Sequence, residues 1–262
     1  MSDAWVRVLV ALPFGLAVGS FMTVVVSRVP AGESVVRPRS RCPRCSAEIS
    51  NRDNIPLISW VLLRGRCRSC GEGIPARYPL LELFTAALVV AAALAFEPPW
   101  VAVMMAAFLS LMPAIAWIDI EHRIIPNRIT YPAAITFGGY VVVAWAFDGG
   151  TDPARALIGG LLYAGVLFVV AIVSRGMGMG DVKLALVIGV VLGSIGLSFV
   201  GVAAAGAVLF GGVGGMVALI AGRDRKSMIP FGPYMAAGAV VAALWGEPIA
   251  EWYLGAFTAT AL

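Results

Sequence analysis

Two aspartates and four cysteines are the residues of this chain whose types and spacing can do chemistry. Asp119 closes the apolar run 100–118 in Trp117-Ile118-Asp119-Ile120-Glu121-His122-Arg123-Ile124-Ile125-Pro126-Asn127, and Asp181 opens another in Gly176-Met177-Gly178-Met179-Gly180-Asp181-Val182-Lys183. An ionisable residue at the edge of a membrane segment is costly and is therefore a functional candidate by default; the plainer alternative is a solvated edge residue or a helix cap. Two apolar runs lie between them, so a chain that crosses and returns brings both to one membrane edge. Two carboxyls held close together cannot both ionise easily, so one keeps a proton while the other stays charged. That is the chemistry of an aspartic protease. The charged member takes a proton from water attacking a peptide carbonyl; the protonated member polarises that carbonyl and then supplies the leaving amine. Gly178 and Gly180 carry no side chains and permit unusual torsions, so a peptide strand can approach the segment bearing Asp181.

The cysteines form two C-x-x-C pairs, Cys42/Cys45 and Cys67/Cys70, separated by the 21 residues 46–66. Paired knuckles let four thiolates converge on one tetrahedral ion, and four protein ligands leave no open coordination position, so a structural rather than a catalytic Zn²⁺ is expected. Disulfides are the alternative, and they persist poorly in a reducing cytoplasm. A loop of this size with few large apolar side chains draws much of its folding energy from the metal.

The elements that must hold these groups are membrane helices. The chain has 262 residues, of which 60% are apolar and only 13% charged, and its mean hydropathy is +0.90. That composition excludes an ordinary soluble domain. A bilayer span needs about 20 mostly apolar residues, and eight runs qualify, at about 5–26, 79–96, 100–118, 129–147, 154–174, 182–195, 197–221 and 231–249. We therefore expect an all-α polytopic membrane protein of about eight transmembrane helices. Its parts would be a first helix over 1–27, a cytoplasmic four-cysteine zinc-binding loop over 28–78, and a seven-helix membrane core over 79–262. The first run follows Asp3 and precedes the arginines, which reads as an uncleaved span with its amino terminus outside. Threading from there places 28–78, 119–128, 175–181 and 222–227 on one side. With Lys183 just beyond it, 17 of the 19 Lys and Arg, all but Arg7 and Arg155, lie at or near that side, which makes it cytoplasmic. The net charge of +4 thus records orientation, and no nucleic-acid partner is expected. The break at Ser194 to Gly196 is the one on which the threading of the carboxyl-terminal half depends.

Other residues are read more plainly. Gly211 and Gly215 have the small-xxx-small spacing of close helix packing. Glu82 is expected to pair with Arg77, the single histidine, His122, to be solvated, and Glu121 and Lys183 to be edge charges that can tune the aspartates.

Taken in order, the motifs resemble the bacterial type IV prepilin peptidases, a GxGD-type family of membrane aspartic proteases. The resemblance runs through Gly19-Ser20-Phe21, Arg28-Val29-Pro30, both cysteine pairs, Asp53-Asn54-Ile55-Pro56, Ser59-Trp60, Arg64-Gly65, Arg77-Tyr78-Pro79-Leu80-Leu81-Glu82, Asp119 with Ile125-Pro126, Gly178-x-Gly180-Asp181-x-Lys183, and Ile229-Pro230-Phe231-Gly232-Pro233. It implies catalysis by Asp119 and Asp181 and zinc ligation by Cys42, Cys45, Cys67 and Cys70. It also implies a bacterial inner-membrane enzyme of type IV pilus or type II secretion systems. Such an enzyme cuts the basic leader of prepilins and pseudopilins after its terminal glycine, on the cytoplasmic side. It then methylates the new amino terminus with S-adenosylmethionine. Thr23 and Asn127 depart from the Asn and Asp common at those places. The rival readings are an intramembrane GxGD protease of the presenilin type, which lacks such a cysteine loop, and a transporter relaying protons through the same aspartates.

Overall fold

The computed structural model describes residues 3–147, 149–174, 176–222 and 230–259. In lipid every backbone N–H and C=O must be satisfied within its own segment, so long apolar runs become helices. The helices are α1 (Asp3–Arg28), α2 (Ile58–Leu62), α3 (Arg77–Ala95), α4 (Pro99–His122), α5 (Asn127–Ala146), α6 (Pro153–Ser174), α7 (Met179–Ile195), α8 (Leu197–Ile220) and α9 (Gly232–Ala259). The protein is all-α; the described residues include two isolated β-bridges, both in the cysteine loop. Pro99 and Pro153 start α4 and α6, where a missing N–H costs nothing. Arg123, in the left-handed region at φ 55°, ends α4 and turns the chain.

Each of the eight apolar runs forms a helix, yet among the described residues six, α1, α3, α4, α5, α6 and α8, have the length and hydropathy of a span. The expected count of eight therefore stands at six by this measure. The 17 residues of α7 rise about 26 Å at 1.5 Å each, short of a hydrocarbon core of about 30 Å. In α9, Trp245 at φ −132° breaks the helical path.

The described helix ends gather at two ends of the bundle. The break falls at Gly196, between α7 and α8. At one end of the bundle, Arg77 at the start of α3 meets Glu121 near the end of α4 at 2.7 Å. There too, Arg128 at the start of α5 donates to the Gly32 carbonyl just beyond α1. At the other end, Asp152 N–H before α6 donates to the Ser194 carbonyl at 2.8 Å, and Arg7 pairs with Glu97 at 2.9 Å. Arg175 and the basic segment 223–227 lie outside the described residues.

Without a hydrophobic drive between helices in lipid, association relies on close backbone contact at small residues. A Cβ on Gly19 of α1 would lie 2.7 Å from the Glu82 Cα of α3, and one on Gly193 of α7 would lie 2.7 Å from the Arg155 carbonyl oxygen of α6. Gly189 sits hard against the backbone of Gly159 and Gly160. The expected Gly211/Gly215 pair is corrected in one member. Gly211 packs on the Phe231 ring of α9, whereas Gly215, one turn farther along α8, faces open space. Gly189→Ala is expected to cost about 1–3 kcal/mol through overpacking and to lower the unfolding temperature in detergent. Gly139→Ala, where nothing lies within 4 Å, is the matched control with no such loss.

The core is centred on two helices. Met104, Met105, Phe108, Leu109, Met112, Ile115 and Ile118 of α4, and Leu184, Ala185, Ile188, Val191 and Leu192 of α7, are buried around much of each helix. These two carry Asp119 and Asp181, so the acidic groups stand on deeply packed helices.

Candidate active site

Asp119 lies one turn before the left-handed Arg123 that ends α4, and Asp181 lies in the first turn of α7. Both are buried, at 5% and 9% exposure. The segments that carry them come together: Gly180, next to Asp181, packs on Ile125, six positions after Asp119. Asp181 Oδ2 accepts from Gly178 N–H at 3.2 Å, closing the first turn of its own helix. Asp119 Oδ2 accepts from the backbone N–H of Gly232, the first residue of α9, at 2.9 Å. A Cβ on Gly180 would lie 3.0 Å from Ile125 Cβ. The bare backbone at Gly180 thus lets the α7 start press against the segment that follows Asp119.

The surrounding charges are tied down. Glu121 accepts from Arg77 at 2.7 Å and from Trp117 Nε1 at 2.9 Å. Lys183 donates to Asn127 Oδ1 at 2.8 Å and sits over the Tyr131 ring at 5.0 Å. Asn127, at a place where Asp is common, therefore serves as an acceptor. His122 is well exposed and 3.9 Å from Glu121.

The Arg77–Glu82 pair expected from sequence does not form. Arg77 is taken by Glu121, and Glu82, buried at the α1–α3 crossing, accepts the Leu57 N–H at 2.8 Å. Five positions along a helix turn the side chains about 140° apart, so the two never shared a face. Glu82 instead fastens the cysteine loop to the membrane helices.

The loop brings its four thiols together, with all Sγ atoms within 4.8 Å of one another and no disulfide among them. The two knuckles repeat one local structure. Cys42 N–H bonds the Ala47 carbonyl and Cys67 N–H the Glu72 carbonyl; Ser46 N–H and Gly71 N–H return to the carbonyls of Cys42 and Cys67. Ser46 and Gly71 both take positive φ, 59° and 73°, the turn that folds each pair back on itself. A bidentate Arg68–Asp53 bridge at 2.7–3.1 Å holds the second knuckle to the linker, and its hydrogen bonds keep the Asp53 carboxyl below its ordinary range. The 3.8 Å between Cys42 and Cys70 sulfurs is close to the edge of a tetrahedron with bonds of about 2.3 Å. Backbone N–H groups of Cys45 and Arg44 bring the Cys42 thiol down to about 7. At Cys70 the Glu72 backbone N–H favours the thiolate, but desolvation and three sulfur neighbours outweigh it and push the thiol up to about 12. Sulfurs crowded in this way compete for charge, which a divalent cation relieves. The donor set fits Zn²⁺.

Comparison with known proteins agrees in order and extent. The model for the Bacterial Peptidase A24 N-terminal domain matches residues 13–96, and that for the Type IV leader peptidase family matches residues 106–220. The first spans the cysteine loop; the second contains both aspartates. A protein of Aeromonas hydrophila called prepilin leader peptidase/N-methyltransferase is 33% identical over 97% of this chain and 96% of its own. One of Bacillus subtilis (strain 168) with the same name is 36% identical over 92% and 95%. One of Myxococcus xanthus (strain DK1622) is 46% identical over 55% and 42%. No solved structure matches the chain.

Proposed function

Since the chain belongs to the type IV leader peptidase family, we propose that it is an aspartic endopeptidase that removes the leader of type IV prepilins and pseudopilins and methylates the amino terminus it exposes. The observation that carries the peptidase reading is the burial of Asp119 and Asp181 at one end of the helix bundle, on segments that pack against each other. Within this reading the ionised carboxylate takes a proton from water as the oxygen attacks the scissile carbonyl. The protonated partner donates to the carbonyl oxygen. Collapse of the tetrahedral intermediate returns a proton to the departing amine, which leaves as the new amino terminus. Burial keeps bulk water from competing for these protons.

On the same reading this end of the bundle lies at the cytoplasmic face of the bacterial inner membrane, supported by the basic loop 28–78 and the positive-inside rule. A prepilin crosses the membrane with its basic leader inside, so its scissile bond meets the aspartates at the same depth. The approach past Gly178 is assigned to the extended substrate strand, while Gly180 serves the packing of α7 on Ile125. Zn²⁺ is assigned to Cys42, Cys45, Cys67 and Cys70, where it closes the loop without touching substrate. Methyl transfer, with S-adenosylmethionine as donor, rests on the names of the relatives.

The test is a detergent reconstitution. Purified protein is incubated with a full-length prepilin and methyl-labelled S-adenosylmethionine, and the product is mapped by mass spectrometry. A pilin shortened to the residue after the leader glycine, carrying one labelled methyl on its amino terminus, is expected. Intact prepilin would overturn the peptidase reading, and an unlabelled cut product the second activity.

A further inference from the structure

The only backbone contact that Asp119 receives from another helix comes, among the described residues, from a position 113 residues away, Gly232. The sequence around it accounts for why this amide is free. At a helix start the first N–H groups have no partner within the helix. Here Pro233 has no N–H, while those of Tyr234 and Met235 both turn back to the Phe231 carbonyl. The Gly232 N–H is thus left to leave the helix, and it points to Asp119 Oδ2 at 2.9 Å. The side chain is constrained as tightly as the amide. A Cβ at 232 would lie 2.7 Å from Asp119 Oδ2, 3.1 Å from its Cγ and 3.2 Å from its Cβ.

The start of α9 is in turn seated on α8. Gly211 accommodates the Phe231 ring, with a Cβ there 3.0 Å from the ring edge, and Gly214 lies hard against Tyr234. Met235, next along, is fully buried. Glycines that read in sequence as general helix packing therefore set where the Gly232 amide stands.

We propose that Gly232 is the positioning residue of the catalytic centre, its amide fixing one oxygen of Asp119 and its missing side chain keeping that carboxylate in place for peptide hydrolysis. The inference rests on the peptidase reading above. It assigns Oδ2 to the anchor and leaves Oδ1 as the oxygen for proton transfer. A carboxylate oxygen is held well by an N–H at a helix amino terminus, so the contact secures Oδ2 as well as locating it.

The test compares Gly232→Ala with Gly215→Ala, a glycine of α8 with nothing within 4 Å of its Cβ position. In single-turnover and steady-state cleavage of a prepilin, Gly232→Ala is expected to lower kcat by about a hundredfold, the order of loss that a misplacement of about 1 Å brings. KM for prepilin, zinc content and methylation of an already shortened pilin stay near wild type. Gly215→Ala is expected to cut at the wild-type rate. If Gly232→Ala does not accumulate as folded protein, Gly211→Ala displaces the same helix start through the Phe231 ring, with an expected loss of about tenfold in kcat at unchanged KM. Wild-type kcat in whichever of the two folds overturns the proposal, as does a loss that appears in KM alone. Failure of the peptidase reading itself is separate, because it shows as absent cleavage by the wild type.

Discussion

Replacing Cys42 and Cys67 together by Ser is expected to strip the metal from the protein and unfold the loop between α1 and α3. One ligand leaves each knuckle, so neither surviving thiol has a partner within its own turn. Structural zinc binding of this kind is worth about 10–16 kcal/mol, as much as the whole stability of an ordinary domain. The loop has little to set against that loss. Cys42 is itself the most buried of the four cysteines, and the Trp60 ring, packed on Gly65 and donating to the Ile74 carbonyl at 3.1 Å, is among the loop's few large apolar contacts. Metal analysis should give about one zinc per wild-type chain and none in the double variant, with protease cleavage rising sharply within residues 28–78. Acid should release the ion from the wild type, since only thiolates ligate. A wild-type chain that carries no metal would contradict the assignment.

Much of this architecture is legible in the sequence, for identifiable reasons. The four cysteines declare themselves because the C-x-x-C spacing alone dictates a turn, and each pair indeed closes the same way. The two aspartates are legible because carboxylates interrupt otherwise apolar surroundings and because an even number of runs separates them. The close crossings are partly legible: Gly15 and Gly19, and Gly189 and Gly193, stand four apart at real interfaces, as Gly211 does, while Gly215 with the same spacing does not. Spacing shows that a helix has a smooth face; the neighbour it meets is decided by tertiary structure. The partner of Arg77 escaped for a related reason, since Glu121 is distant in sequence and Glu82 is near. The Gly232 contact carries no side-chain signal at all. A backbone amide is common to every residue but proline, and only the three-dimensional arrangement reveals which one reaches Asp119. Two of the eight runs escape the length and hydropathy of a span because α7 is short and α9 is kinked.

The second large effect falls on the aspartates. Asn preserves the shape of Asp but can neither accept a proton from water nor return one to an amine. Either replacement leaves the remaining aspartate without the partner that shares its proton. Removing a positioned acid or base typically costs about 10²–10⁴ in rate, and two groups that act as a unit lose nearly everything when either is removed. Each single variant is therefore expected to cut at least about a thousandfold more slowly. Both should retain zinc, because the cysteine loop is a separate structure, and both should still methylate an already shortened pilin.

The decisive measurement is the single-turnover rate at which wild type, Asp119→Asn and Asp181→Asn, matched for zinc content, shorten a full-length prepilin in detergent. The account predicts rapid cutting by the wild type and a collapse of the rate in both variants. A variant of either aspartate that cuts as fast as the wild type would contradict it.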